Sequence, residues 1–344
     1  MIAPDIRLLD LSDGTERGCP LDTKNSPHFS IALGNFDGVH AAHRKLIRLA
    51  VDMAQRLCTQ GIQTEPAAFF FRSPSGDYIT PGQSGHLTTL EEKLSLFRSC
   101  GLRYVLMADF PSLKNWSAES FITEILSTVC SAKAVCCGYN FRFGKDGAGK
   151  PELLKQAFAE NCTVLGCQVI HDEDGRSITI SSSAIRQLLQ SGETLLAASM
   201  LQYPYVVSGS VAHGKKLGRK LGFPTANLSF ANEKLLPLCG VYASIVQIEG
   251  STYFGVSNVG KRPTVDAPTS AVNCETHILD YQGDLYGKEI RVFLLYFLRS
   301  ETAFPNLDAL QAAISQNILE AKEVLKTPQS VKLIANINEY FKKD

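Results

Sequence analysis

Between residue 28 and about residue 180, short apolar runs alternate with stretches whose apolar positions recur at helical spacing. "HFSIAL" (28–33) reads as a strand, and "HRKLIRLAVDMAQRL" then carries Leu46, Ile47, Leu49, Ala50, Met53 and Leu57 on one helical face. "PAAFFF" predicts a strand and "TLEEKLSLFRSCG" a helix capped by Thr89 and ending at Gly101. "RYVLMADF" predicts a strand and "SAESFITEILSTV" a helix with Ser117 near its start. "AKAVCCG", "GKPELLKQAFAEN" and "TVLGCQVI" continue as strand, helix and strand. Apolar strands separated by helices imply a parallel sheet covered on both faces, with ligands at the carboxyl ends of the strands.

The pattern changes near residue 200. "ISSSAIRQLLQSGETLLAASML" predicts two short helices. The runs "YPYVVSGSVAHG", "VYASIVQIEG", "STYFGVSNVG", "AVNCETHILDY" and "KEIRVFLLYFL" follow with Gly, Pro and Asp between them and no long helix. Strands in that order predict an antiparallel sheet or small barrel. Helical spacing returns in "NLDALQAAISQNILEAKEVLK". The chain therefore reads as two domains, 1–195 and 204–344.

Composition agrees with this division. At 344 residues the chain is long for one domain, and its 44% hydrophobic and 20% charged residues suit a water-soluble protein with a full core. A formal net charge of zero gives no global field toward nucleic acid or an anionic membrane, and neither is expected as a partner. No apolar stretch approaches 18 residues and the N-terminus carries charges early, so a cytoplasmic enzyme is expected. The ten cysteines form no CxxC pair and read as small hydrophobes in a reducing compartment.

Four segments carry candidate chemistry. In "LGNFDGVHAAHRKL" a glycine-bracketed turn, Gly34-Asn35-Phe36-Asp37-Gly38, joins a strand to a helix that opens with His40 and His43. Backbone N–H groups at such a helix start receive phosphate, and histidines there can act as charge-assisted donors. A histidine pair three apart without a glutamate is a poor metal site. Two helix-surface histidines on a plain turn are the alternative. "ISSSAIRQLL" places three hydroxyls, Ser181 to Ser183, and Arg186 at a helix start; this suits a triphosphate or, more simply, an N-cap. "CGYNFRFGKDGAGK" after a strand can stack on a flat ring or hold Phe141 and Phe143 in the core. In "GSVAHGKKLGRKLGFPTANL", Thr225 and Asn227 alternate onto one side of an extended segment as hard oxygen ligands for Mg²⁺ beside ATP, and "NCETHILDY" sets Glu275 in an apolar strand, placed to act as a general base.

The chain resembles the bifunctional riboflavin kinase/FAD synthetases. "GNFDGVH", "FRFG" and "ISSSAIR" resemble the adenylyltransferase module over residues 28–195, of Rossmann-like nucleotidyltransferase fold. "GxVxHGxxxGRxLGFPTANL", "GVYA", "NVGKRPT", "ETHILDYQGDLYGKEI" and "LLYFLR" resemble the riboflavin kinase domain over 204–325, a six-stranded antiparallel barrel followed by a helix. The resemblance implies phosphorylation of riboflavin to FMN and adenylylation of FMN to FAD, with ATP as co-substrate, Mg²⁺ as cofactor and pyrophosphate released. It implies catalytic roles for His40, His43, Arg186 and Glu275. It further implies ligand contacts by the 34–38 turn, Asn140, Phe141, Ser182 and Ser183, and by Gly214, Lys215, Gly218, Arg219, Pro224, Thr225 and Asn227, the last two on the metal. The chain departs from the family's HxGH pattern at Ala42, where a methyl replaces glycine. That departure leaves open a riboflavin kinase with a weak or silent adenylyl module. A flavin-binding regulatory protein without turnover is the other alternative, against which Thr225, Asn227 and Glu275 argue, since a binder needs no base.

Overall fold

A computed structural model describes residues 6–11, 27–72, 85–172, 174–213, 218, 221–261 and 272–342. The chain divides into two compact units, Met1–Ser84 with Lys93–Ile180 and Gly85–Glu92 with Ser181–Asp344.

The first unit is built on a six-stranded, wholly parallel sheet. Its strands are β1 (Arg7–Asp10), β2 (His28–Leu33), β3 (Thr64–Phe71), β4 (Tyr104–Ala108), β5 (Ala132–Gly138) and β6 (Cys162–Leu165), in the order β1-β4-β3-β2-β5-β6. Period-two alternation sends Phe29, Ile31, Leu33 and Phe69 into one core with Phe121 and Leu126. The small residues Ser30, Ala32 and Ala134 turn to the other face and are fully buried. Helix α1 (Ala41–Thr59) lies there, with Met53 and Leu57 packed on Ala134. Helix α2 (Leu90–Ser99) starts at a reciprocal cap: Thr89 N donates to Glu92 Oε2 at 3.0 Å, and Glu92 N to Thr89 Oγ1 at 3.2 Å. Helix α3 (Pro151–Phe158) bridges β5 and β6. Chain order runs outward from β2 through β3 and β4 on one side and through β5 and β6 on the other, so the direction reverses between β2 and β5. Ligands of open parallel sheets bind at such a point.

Two strand expectations change. "TVLGCQVI" is not one strand: β6 ends at Leu165, and β7 (Val169–His171) pairs antiparallel with β8 (Ser177–Thr179). Gly166 interrupts the run, and the second half finds its backbone partners in a hairpin. "RYVLMADF" stops pairing at Ala108, because Asp109 and Pro111 start a short helix, Phe110–Leu113. The cysteine reading holds for Cys130, Cys136, Cys137 and Cys274, which are buried, but Cys167 is exposed.

The second unit is a six-stranded antiparallel sheet of β9 (Tyr205–Ser210), β10 (Thr225–Ser229), β11 (Gly240–Ile248), β12 (Ser251–Lys261), β13 (Val272–Ile278) and β14 (Glu289–Arg299). The order is β10-β13-β12-β11-β14-β9. The two outer strands meet through a bridge between Ala212 and Asn227, with Ala212 N donating to Asn227 O at 2.9 Å. Helices α4 (Ser182–Ser191) and α5 (Thr194–Leu201) precede the sheet; α6 (Leu307–Val324) and α7 (Pro328–Tyr340) follow it. The sequence boundary at 195–204 follows the change in pattern, whereas packing assigns α4 and α5 to this unit. Leu238 N donates to Leu189 O at 3.0 Å, and the buried Thr194 Oγ1 donates to Leu295 O at 2.8 Å. Thr194→Val leaves a β14 carbonyl without that donor and is expected to cost about 1–3 kcal/mol. A urea titration checks it, and an unchanged midpoint would refute it. The segment 85–92 joins the same unit through Glu92, which is ion-paired with buried Lys234 and accepts from Ser208 Oγ at 2.9 Å.

Candidate functional sites

The turn after β2 is the most constrained stretch of the first unit. It leaves the sheet at the reversal between β2 and β5, and Gly34 N donates to Phe69 O at 3.2 Å. Phe36 (φ 51), Gly38 (φ 79) and Val39 (φ 36) all hold positive φ. Two non-glycine residues in that region within four positions mark a backbone held by its surroundings. Phe36 is fully buried, edge-on to Phe97 at 5.4 Å, and this wedge closes the turn.

His40 occupies the N-cap of α1 and its Nδ1 accepts from His43 N at 3.4 Å. The acceptor nitrogen is unprotonated, so a neutral ring carries its proton on Nε2. The two imidazoles stack at 3.6 Å with 14° between planes, and Phe36 lies 5.1 Å from His43. Burial lowers His40 to about 4 against the pull of Asp37. Burial, then His40, then Lys93 lower His43 well below the usual histidine range. Both are neutral at pH 7 in this setting. The sequence reading expected charged donors; the fold supplies neutral imidazole N–H groups, because the rings are packed into the helix mouth. Among the described residues, the buried Nδ1 of His43 has no hydrogen-bond partner. Ala42 is the second residue of α1, in ordinary helical backbone and half-exposed. Nothing in that conformation requires glycine.

Lys93, which no sequence motif flagged, comes from α2 to the same turn. Its Nζ donates to Asn35 O at 3.1 Å and lies 4.5 Å over the Phe70 ring. The signal was present: Lys93 falls on the apolar stripe with Leu96 and Phe97.

The loop after β5 leaves the strand next to β2, in register Leu33 to Cys137. Asn140 is exposed and Phe141 half-buried, 5.8 Å from Phe143, which is buried in the core. The core reading therefore applies to Phe143 in full and in part to Phe141, which packs against the same core cluster. The cap of α4 is Ser181, whose Oγ accepts from Ala184 N at 3.2 Å. Ser182 and Ser183 follow in the first turn, and Arg186 Nε donates to Gly85 O at 3.0 Å. These residues belong to the second unit, His40 and His43 to the first.

In the second unit a cavity of about 390 Å³ is lined by Thr225, Asn258, Glu275, His277, Arg299 and Glu301 among polar groups, and by Phe223, Phe304, Leu310 and Ile314. Glu275 stands directly across from Asn227 on β10 and from Asn258 on β12. Opposed residues of an antiparallel pair share a face, so the three form one cross-strand row. Thr225 lies opposite His277 on the same face, two residues along. Buried Thr276 faces the other way and its hydroxyl lies 2.8 Å from that of Ser257, which lies 2.7 Å from that of Ser244. Thus Glu275 is half-buried on a cavity wall, not on a plain exposed strand face. His277 Nδ1 is 2.9 Å from Pro224 O. A carbonyl only accepts, so Nδ1 donates and ties the "FPT" segment to β13. Asn258 Nδ2 donates to Glu301 Oε1 at 3.2 Å, and Arg299 Nε to Asn317 Oδ1 at 3.1 Å. The sequence reading does not single out Asn258, His277, Arg299 or Glu301: it picks no residue from "NVGKRPT" or "LLYFLR", and it reads "NCETHILDY" for Glu275 alone, although His277 shares its face by alternation.

A Cβ at Gly218 would overlap the Phe223 carbonyl, and Phe223 N donates to Gly218 O at 2.8 Å, so this position has room only for glycine. Gly214, Lys215 and Arg219 lie outside the described residues. Thr225, Asn227 and Glu275 offer a hydroxyl, an amide oxygen and a carboxylate on one face, a donor set that suits Mg²⁺. Among the described residues no group of three His, Cys, Asp or Glu forms a metal cage. Such a set matches an ion shared with substrate phosphates. Among those residues, too, no helix is long and apolar enough to cross a membrane.

Comparison with known proteins follows the same division. Residues 201–325 match the family described as riboflavin kinase, and residues 22–184 the family described as FAD synthetase. Over 324 residues the chain is 35% identical to the bifunctional riboflavin kinase/FMN adenylyltransferase of Escherichia coli (strain K12), covering 91% of this chain and 95% of that one. It is 33% identical over 296 residues to the protein of the same name from Pseudomonas fluorescens, covering 84% and 91%. A crystal structure of a macrolide-efflux protein from Streptococcus pneumoniae superposes with a TM-score of 0.78 at 26% identity, covering 92% of this chain and 99% of that one.

Proposed function

The chain belongs to the bifunctional riboflavin kinase/FMN adenylyltransferase family, and from that premise we propose how its residues divide the work. The enzyme converts riboflavin to FMN and FMN to FAD, and both steps draw on ATP. We assign FMN adenylylation to residues 1–195 and riboflavin phosphorylation to 204–344.

In the kinase step Glu275 takes the proton from the primary hydroxyl of riboflavin as it attacks the γ-phosphate. Thr225 and Asn227 would hold Mg²⁺, which would neutralise charge on the phosphates. The apolar wall of Phe223, Phe304, Leu310 and Ile314 suits the flat flavin ring. The single observation that carries this reading is that Thr225, Asn258 and Glu275 line one cavity, with Asn227 directly across the strand pair from Glu275. The "HGKKLGR" stretch, with Gly214, Lys215, Gly218 and Arg219, is assigned to the nucleotide by its motif.

In the adenylyl step an FMN phosphate oxygen attacks the α-phosphorus of ATP and pyrophosphate leaves. This chemistry needs charge on phosphoryl oxygens to be met by oriented donors, not a protein nucleophile. The N–H groups at the start of α1 and the imidazoles of His40 and His43 serve as those donors. Ser182, Ser183 and Arg186 are assigned to ATP by their motif, and Asn140 and Phe141 to the nucleotide or flavin. The enzyme is expected to work in the cytoplasm.

Chromatography of products from riboflavin and Mg-ATP tests the whole reading. FMN appears first and FAD accumulates at its expense. FMN alone would overturn the adenylyl assignment, and neither product would overturn both.

A further inference from the structure

Lys93 has no part in the reading above, yet it is only 5% exposed and bonded to the phosphate-binding turn. Burying an ammonium is costly unless charge and hydrogen bonds compensate. Its compensation comes from the turn itself: Asn35 O accepts from it at 3.1 Å, and Asp37, 3% exposed, attracts its charge. Among the described residues, His43 on α1 also faces it. Strand β3 presents the Phe70 ring, and Glu92, its neighbour on α2, is engaged in the reciprocal cap with Thr89.

Asp37 poses a physical problem. A buried carboxylate three residues before His40 stands in a turn proposed to receive a polyanion. Like charges there oppose binding unless a cation cancels the carboxylate. We propose that Lys93 is a positioning residue for adenylyl transfer: its buried ammonium pins the Asn35 carbonyl and adds positive charge to a turn that carries Asp37, so that the turn meets the ATP phosphates less negative and in one conformation. This rests on the reading of the 34–43 turn as the ATP phosphate site. The ammonium acts through the turn, without touching substrate.

Burial lowers Lys93 from 10.5 to about 8, with Asp37 opposing the shift. The sign is then fixed. Below pH 8 the lysine is charged and attracts Asp37; above it that attraction is lost and the charged hydrogen bond to the Asn35 carbonyl weakens. For FAD formation from FMN, kcat/KM for Mg-ATP reports ionisations of the free enzyme. It is expected to fall as pH rises through about 8. Lys93→Met is expected to lower kcat/KM at pH 7 on the order of 10–100-fold, by analogy with the loss when a residue that orients a metal ligand is removed. Lys93→Arg, charged throughout, is expected to keep most of the activity and to move the alkaline fall upward. A merely structural lysine would not move that limb. Unchanged kcat/KM in Lys93→Met, or the same limb near 8 in Lys93→Arg, overturns the proposal. If Lys93→Met does not fold, the pH profiles of wild type and Lys93→Arg decide alone. His43→Ala, run in parallel, separates the two readings: indifference to it refutes the turn as phosphate site, whereas loss with His43→Ala and none with Lys93→Met refutes the role of Lys93 only.

Discussion

Glu275→Gln is expected to lower riboflavin phosphorylation by about 10²–10⁴-fold, the usual contribution of a general base, while riboflavin still binds. The substitution keeps the shape of the side chain and its place between Asn227 and Asn258, and removes only the capacity to accept a proton. The neighbouring groups sharpen the expectation. Glu301 also lines the cavity, but it accepts from Asn258, and His277 is held by Pro224. Neither stands in the row that Glu275 shares with Asn227. Turnover to FMN and quenching of flavin fluorescence on the same sample separate catalysis from binding. Near wild-type turnover would remove Glu275 from the mechanism; loss of both together would make it a binding residue.

His43→Ala is expected to lower FAD formation by about 10²–10³-fold, the cost of removing one preorganised donor, with riboflavin phosphorylation kept. His43 is stacked on His40 and wedged by Phe36, so its ring direction is set before ATP arrives. Ala42→Gly supplies the matched control. The backbone there is helical and already suits alanine, so glycine is expected to leave FAD formation near wild type and to cost about 0.5–1 kcal/mol of helix stability. A marked gain in FAD formation would mean that the methyl crowds ATP. Both are measured at saturating FMN and Mg-ATP. Activity indifferent to His43→Ala would refute the two-histidine reading of the turn.

The sequence by itself determined the two-part architecture, most of the strands and helices though not β1, β8 or α7, and the motifs around His40 and Glu275. These follow from local rules: hydrophobic period, caps, and glycine at turns. It misjudged "TVLGCQVI" because the periodicity of an apolar run does not say where its backbone partners end. It could not assign α4 and α5 to the barrel, since Thr194 finds its acceptor at Leu295 about a hundred residues away. Nor could it give the charge state of the histidines, which burial decides and composition does not record. Lys93 shows the limit most clearly. In the sequence it is one lysine on a helix, "EEKL". Only the packing of that helix brings its ammonium to a turn nearly sixty residues earlier, because contacts between distant segments are made by the tertiary fold and leave no local pattern.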